Sequence, residues 1–123
     1  IVNLLLFMLS KFNKENIAKE PNTGGVYRFY NKDRKLIYVG RASGKWGTKF
    51  QPDVPHSGRY RFGQRHRLQS YYQKDDFGKD DGHPTKRALR PRIEYYYTQT
   101  VVNKPKRRAL EKKLKKGLKF NIN

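Results

Sequence analysis

The chain has 123 residues, enough for one small domain with a single core, and 29 Lys+Arg against 10 Asp+Glu give a net charge of +19. With no cysteine, a disulfide framework and thiolate metal centres are excluded, and a reducing compartment is expected: cytoplasmic, at a nucleoid, or nuclear. The cations are spread along the whole chain rather than gathered on one amphipathic helix, which points to a polyanion such as nucleic acid and away from a membrane surface.

Residues 1–9, Ile-Val-Asn-Leu-Leu-Leu-Phe-Met-Leu, are apolar but far short of the about 20 residues that span a bilayer. They lack the basic start and small-residue cleavage site of a signal peptide. Leu4, Leu5, Met8 and Leu9 form one helical stripe. Residues 1–23 therefore read as an N-terminal extension packed on the core, as helix or strand; contact with a further N-terminal region is the other reading. Ser10 to Gly24 is polar and closes on the turn sequence Pro21-Asn22-Thr23-Gly24-Gly25.

Gly25-Val26-Tyr27 and Tyr38-Val39-Gly40, separated by ten residues, bracket a β-hairpin signal. Two runs rich in β-branched and aromatic residues flank the polar Asn31-Lys32-Asp33-Arg34. With Lys32-Asp33 as the loop, Tyr27 falls opposite Tyr38, and cross-strand partners share a face. A one-residue slip would separate the two phenols. Gly40 leaves room beside them for another backbone or a phosphate. An ordinary amphipathic hairpin explains the same residues without any function.

Arg41 to Gly58 is rich in glycine and proline and reads as a long loop. It carries Arg41, Lys45, Trp46 and Phe50, which suits DNA contact; Trp46 reads equally as a plain core anchor for the loop. Tyr60 to Gln73 reads as a helix with Leu68, Tyr71 and Tyr72 on one face and arginines on the other. Lys74 to Pro91 is a second polar segment. Its Asp80-Asp81-Gly82 lacks the remaining ligand spacing of a calcium loop and reads as a turn. The histidines at 56, 66 and 83 show no paired metal-ligand spacing. Ile93 to Val102 is β-rich and should form a third strand. A helix is expected from about Lys106 to Gly117, with Gly117 as its cap. Glu111 is the acid of that lysine-rich helix, and by itself reads as an i,i+4 pair with Lys115.

Taken together, Gly-Val-Tyr, ten residues, Tyr-Val-Gly resembles the paired signature of the GIY-YIG nuclease family. Arg67-Leu68-Gln69-Ser70-Tyr71 is similar to the family's arginine helix, with Arg65 and Arg61 as alternatives. Glu111, with Leu114 and Leu118 three and seven positions on, is similar to its glutamate helix. The family asparagine falls at Asn123 by straight counting or at Asn121 by its pairing with Phe120. The resemblance covers residues 24–123 and keeps the order hairpin, arginine helix, strand, glutamate helix. Many relatives carry lysine after the second glycine where this chain has Arg41; arginine stays protonated, so it suits a phosphate clamp rather than a base.

The resemblance implies a single α/β (α+β) nuclease domain, with a three-stranded mixed sheet centred on the hairpin and flanked by helices. It implies a metal-dependent endonuclease that cuts DNA with one divalent metal, Mg²⁺ or Mn²⁺, held by Glu111. One carboxylate suits one hard cation that keeps most of its waters. Tyr27 is the family-type base, Tyr38 orients water or phosphate, Arg67 binds phosphoryl oxygens, and Asn123 or Asn121 supports. A phenol needs nearby positive charge to act as a base at neutral pH. His66 is the other candidate base, but as Arg67's helical neighbour it points roughly 100° away. Arg41, Lys45, Trp46, Arg61, Arg65 and His66 are expected at the DNA. The long basic loop favours a restriction-type or stand-alone enzyme; a homing or repair-incision nuclease is the alternative within the resemblance. A basic binding module without activity is the alternative outside it, with Tyr95-Tyr96-Tyr97, Tyr71 and Tyr72 stacking on bases.

Overall fold

A computed structural model describes residues 8–49, 58–72 and 84–118. The N-terminal apolar stripe at Leu4 and Leu5, Phe50, Asp80-Asp81-Gly82, and the candidate asparagines Asn121 and Asn123 lie outside them.

The centre is an antiparallel sheet of four strands rather than a mixed sheet of three. β1 (Ser10–Lys11), β2 (Gly25–Tyr30), β3 (Leu36–Ala42) and β6 (Tyr95–Thr100) lie in the order β1-β6-β2-β3, and every neighbouring pair is antiparallel. The extra strand, β1, pairs Ser10 with Tyr96 and Lys11 with Tyr95. A two-residue strand leaves no alternation to read, which is why the polar Ser10–Gly24 stretch concealed it. The same stretch contains α1 (Lys14–Ala18), capped by the Asn13 side chain and anchored by the buried Ile17. The long loop after Gly40 is also more ordered than expected. β4 (Trp46–Lys49) and β5 (Gly58–Arg61) pair as a two-stranded ribbon. β5 takes the first residues of the expected helix, so α2 runs Gln64–Tyr72 instead of from Tyr60.

The hairpin keeps its phenols on one face by a different register. Its loop has three residues, Lys32-Asp33-Arg34. Asn31 Oδ1 accepts from the Asp33 and Lys35 amides at 2.9 and 3.0 Å, and Arg34 takes a left-handed φ of 60°. The third loop residue slips the pairing by one. A bulge between Phe29/Tyr30 and β3 slips it by one more, so Tyr27 pairs with Gly40 and Phe29 pairs with Tyr38. Two slips restore the face that one would have reversed.

Tyr27, Phe29, Ile37 and Tyr96 form the core on this face with Leu68 and Tyr71 of α2, Ile17 of α1 and Leu89 of α3 (Pro84–Leu89). The burial of Tyr71 and Tyr96 removes both from any base-stacking surface. A 3-10 turn (Arg90–Arg92) leads into β6. α4 (Lys104–Lys116) packs against β3 and β2. Asn103 caps α4, Pro105 occupies its first turn, and Gly117 caps its end as expected, though with an ordinary right-handed φ of −82°.

Candidate active site

Three phenols meet on the sheet face under α2. The ring centroids of Tyr27 and Tyr38 are 6.3 Å apart, those of Tyr27 and Tyr71 are 6.0 Å, and the hydroxyls of Tyr38 and Tyr71 are hydrogen-bonded at 3.4 Å. The room left by Gly40 is taken by the Tyr27 ring itself, since a Cβ at position 40 would lie 2.7 Å from Tyr27 Cε2. The Tyr-x-Gly spacing thus seats one motif's phenol on the other motif's glycine. Arg67 and Tyr71 stand at i and i+4 on α2 and so share its inner face.

Burial pushes the phenols of Tyr27, Tyr38 and Tyr71 well above their ordinary pKa. Arg67 lowers Tyr27 and Tyr38 while Glu111 raises both, so the two charges act on the same pair. For Tyr27 desolvation is the largest influence and raises its pKa, with the Arg67 guanidinium opposing it.

Glu111, on α4, keeps its side chain 13% exposed. Its Oε1 accepts from Arg41 Nη1 at 3.2 Å, and its Oε2 pairs with Lys115 at 3.5 Å. The helical pair with Lys115 therefore exists, but it accounts for one oxygen only. Arg41 lies on the opposite face of β3 from Tyr38, so α2 and α4 grip the edge strand β3 from its two sides. Among the described residues no group of three or more His, Asp or Glu could cage a metal. A single carboxylate fits a divalent cation that retains most of its waters, and Glu111 would hold it by displacing Arg41 or Lys115 from one of its oxygens.

The other expected residues divide. Arg41, Lys45 and Arg67 line one cleft of about 170 Å³. Arg65 and His66 sit in the first turn of α2, where the His66 amide donates to Asn22 Oδ1 and its ring packs edge-to-face on Phe62. Trp46 and Arg61 are paired across the ribbon. A larger cleft of about 760 Å³ lies between the hairpin tip and the 3-10 turn, and none of the three tyrosines, Arg67 or Glu111 lines it.

Sequence reading missed Gln64. Fully buried at the start of α2, its Nε2 donates to Thr23 Oγ1 at 3.2 Å and Thr100 Oγ1 at 3.0 Å, and its Oε1 accepts from Thr98. It ties α2 to β6 and to the chain entering β2, and so sets where Arg67 stands one turn later. A Cβ at Gly25 would come within 2.5 Å of Gln64 Cδ. The one available signal was the pair of alternating threonines, 98 and 100, which pair with Tyr27 and Gly25.

The fold is similar to that of the GIY-YIG N-terminal endonuclease domain of UvrC from Thermotoga maritima, whose crystal structure is bound to its catalytic divalent cation, magnesium. The TM-score is 0.57 and the identity 23%, over 90% of this chain and 99% of that one. A point mutant of the same domain, also bound to its catalytic divalent cation, aligns with TM-score 0.57 and 23% identity over 90% and 98%. At that identity the likeness is one of fold. No protein-family model and no curated protein matches the chain. Among the described residues no helix is long and apolar enough to cross a membrane.

Proposed function

We propose that the chain is a DNA endonuclease that hydrolyses phosphodiester bonds with one divalent metal, Mg²⁺ or Mn²⁺, at Tyr27, Tyr38, Arg67 and Glu111. The observation that supports this reading is the cluster of Tyr27, Tyr38 and Tyr71 on the sheet face under α2, with Arg67 on that helix and Glu111 on α4, which packs on β3 and β2. In this reading Arg67 binds a non-bridging phosphoryl oxygen and gathers the negative charge that develops on it. Tyr27 and Tyr38, as neutral phenols, hold the attacking water and the phosphate by hydrogen bonds. A divalent cation on Glu111 would supply Lewis-acid polarisation and acidify water, which a buried phenol does not do at neutral pH. Arg41 holds Glu111 Oε1 and would yield it to the metal.

The likeness to the UvrC domain favours a repair-incision enzyme, and the basic segment after Gly40 favours a restriction-type or stand-alone one. Cleavage of a damaged duplex over an undamaged duplex would decide for the first. The reaction itself is tested on supercoiled plasmid at moderate salt. Wild type is expected to nick or linearise it with Mg²⁺ and to stop with EDTA. Glu111→Gln is expected to cut at least about 100-fold more slowly, on the order of 3 kcal/mol, while retaining DNA. Equal cutting by Glu111→Gln would remove the metal assignment. DNA retention without cutting in wild type, with either metal, would leave a binding module.

A further inference from the structure

Where β3 leaves the sheet, the cleft of about 170 Å³ is lined by cations from three parts of the chain. Arg41 and Arg67 form the wall it shares with the active groups. Lys45, and Lys104, Arg107 and Arg108 from the start of α4, form the rest. Ser43 is the remaining lining residue; its Oγ accepts from the Lys45 amide at 3.2 Å, which leaves the hydroxyl free to donate. No acidic side chain among the described residues lines the cleft.

Arg107 is the informative residue. It is 5% exposed, and its Nη1 donates to the Val101 and Val102 carbonyls at 3.2 Å, which fixes the guanidinium plane. Among the described residues its Nε is buried without a partner, and so is Nε of Arg67, which lines the same cleft. Buried donors without acceptors are costly, and two of them line one concave cationic site where an anion would satisfy them. The start of the 13-residue α4 adds the positive end of its dipole. The ammonium of Lys104 is held below its ordinary pKa by Arg108 and then Lys45, so these cations repel one another. The volume equals about six waters at ~30 Å³ each, room for one phosphate with part of its hydration.

We propose that this cleft is a phosphate subsite, which takes the backbone phosphate of a DNA strand next to the one attacked. This rests on the nuclease reading for the source of the phosphate. Lys104, Arg107 and Arg108 belong to none of the sequence motifs, and they would fix the strand's register so that the neighbouring phosphate meets Arg67 and the phenols.

The test compares wild type with the exposed pair Lys104→Ala/Arg108→Ala. A control, Lys14→Ala/Lys19→Ala, removes the same charge from α1 and its C-cap. Binding of a labelled duplex is followed by anisotropy over a salt series in EDTA, and cleavage is followed with Mg²⁺. The pocket variant should bind about tenfold more weakly at low salt, with the log K against log salt slope reduced by about 1, the loss of one phosphate contact. Its KM should rise while kcat is retained, and the control should move neither the slope nor KM to that extent. Equal losses in both variants would overturn the subsite, because only bulk charge would then matter. Inorganic phosphate that protects the cleft while the slope for DNA is unchanged would also overturn it, in favour of a free-phosphate site. A reduced slope in a chain that cuts no DNA with Mg²⁺ or Mn²⁺ would support the subsite and sink the nuclease reading alone.

Discussion

At the scale of single residues, Gly40 and Tyr27 act as one unit. A methyl group at position 40 has nowhere to go, because the Tyr27 ring lies over it. Gly40→Ala is expected to destabilise the protein by about 1–3 kcal/mol through overpacking and to disable the site by displacing the phenol. Tyr27→Phe keeps the ring and removes the hydroxyl, so it should cost at most about 1.5 kcal/mol while abolishing cleavage. Urea unfolding and the plasmid assay, run on both variants, separate packing from chemistry. A Tyr27→Phe protein that cut at the wild-type rate would reduce Tyr27 to a core aromatic. The pairing of glycines and tyrosines was readable because both short motifs are local. Which tyrosine sits over which glycine was not readable. It depends on Arg34 in a left-handed turn and on a bulge, and neither leaves a composition signal. Gln64 escaped for a related reason: a glutamine among arginines looks solvated until two separate segments, the chain entering β2 and β6, close over it.

At the scale of elements, α4 was the most readable because its signals agree. Asn103 accepts from the Lys106 amide at 3.0 Å, Pro105 sits in the first turn, and Gly117 closes the helix. Asn103→Ala is expected to lower stability by about 1 kcal/mol, seen as a drop in Tm. It should also weaken cleavage, because the helix it loosens carries Glu111. Unchanged activity with a lowered Tm would mean that Glu111 is held by its contacts to Arg41 and Lys115 rather than by the helix start. The ribbon of β4 and β5 was unreadable for the opposite reason. Its segment is rich in glycine and proline, and its two strands are four residues each and pair with one another, too short for alternation to stand out. α1 needed only Asn13 and one buried residue, Ile17, below any window in which periodicity is visible.

At the scale of the whole molecule, burial of phenols links stability to alkaline pH. Tyr27, Tyr38, Tyr71 and Tyr96 all have folded pKa values raised by desolvation. A raised pKa in the folded state contributes stability that is fully present below the unfolded phenol pKa of about 10 and is lost as pH rises above it. Absorbance at alkaline pH should therefore show exposed tyrosines ionising first. The buried group should ionise only together with the loss of near-ultraviolet circular dichroism. A single ionisation step with the fold intact would contradict the burial of the cluster. The grip of α2 and α4 on β3 also has a consequence for how the protein comes into being. The phenols and Arg67 are translated well before Glu111, whose helix is the last described element. On the proposed chemistry, a nascent or truncated chain that stops short of Asn103 lacks both the Glu111 carboxylate needed to cut DNA and the Lys104, Arg107 and Arg108 cations of the proposed subsite. Premature termination then yields an inert chain rather than an unregulated cutter, and toxicity in a host cell should appear only with chains that extend through α4.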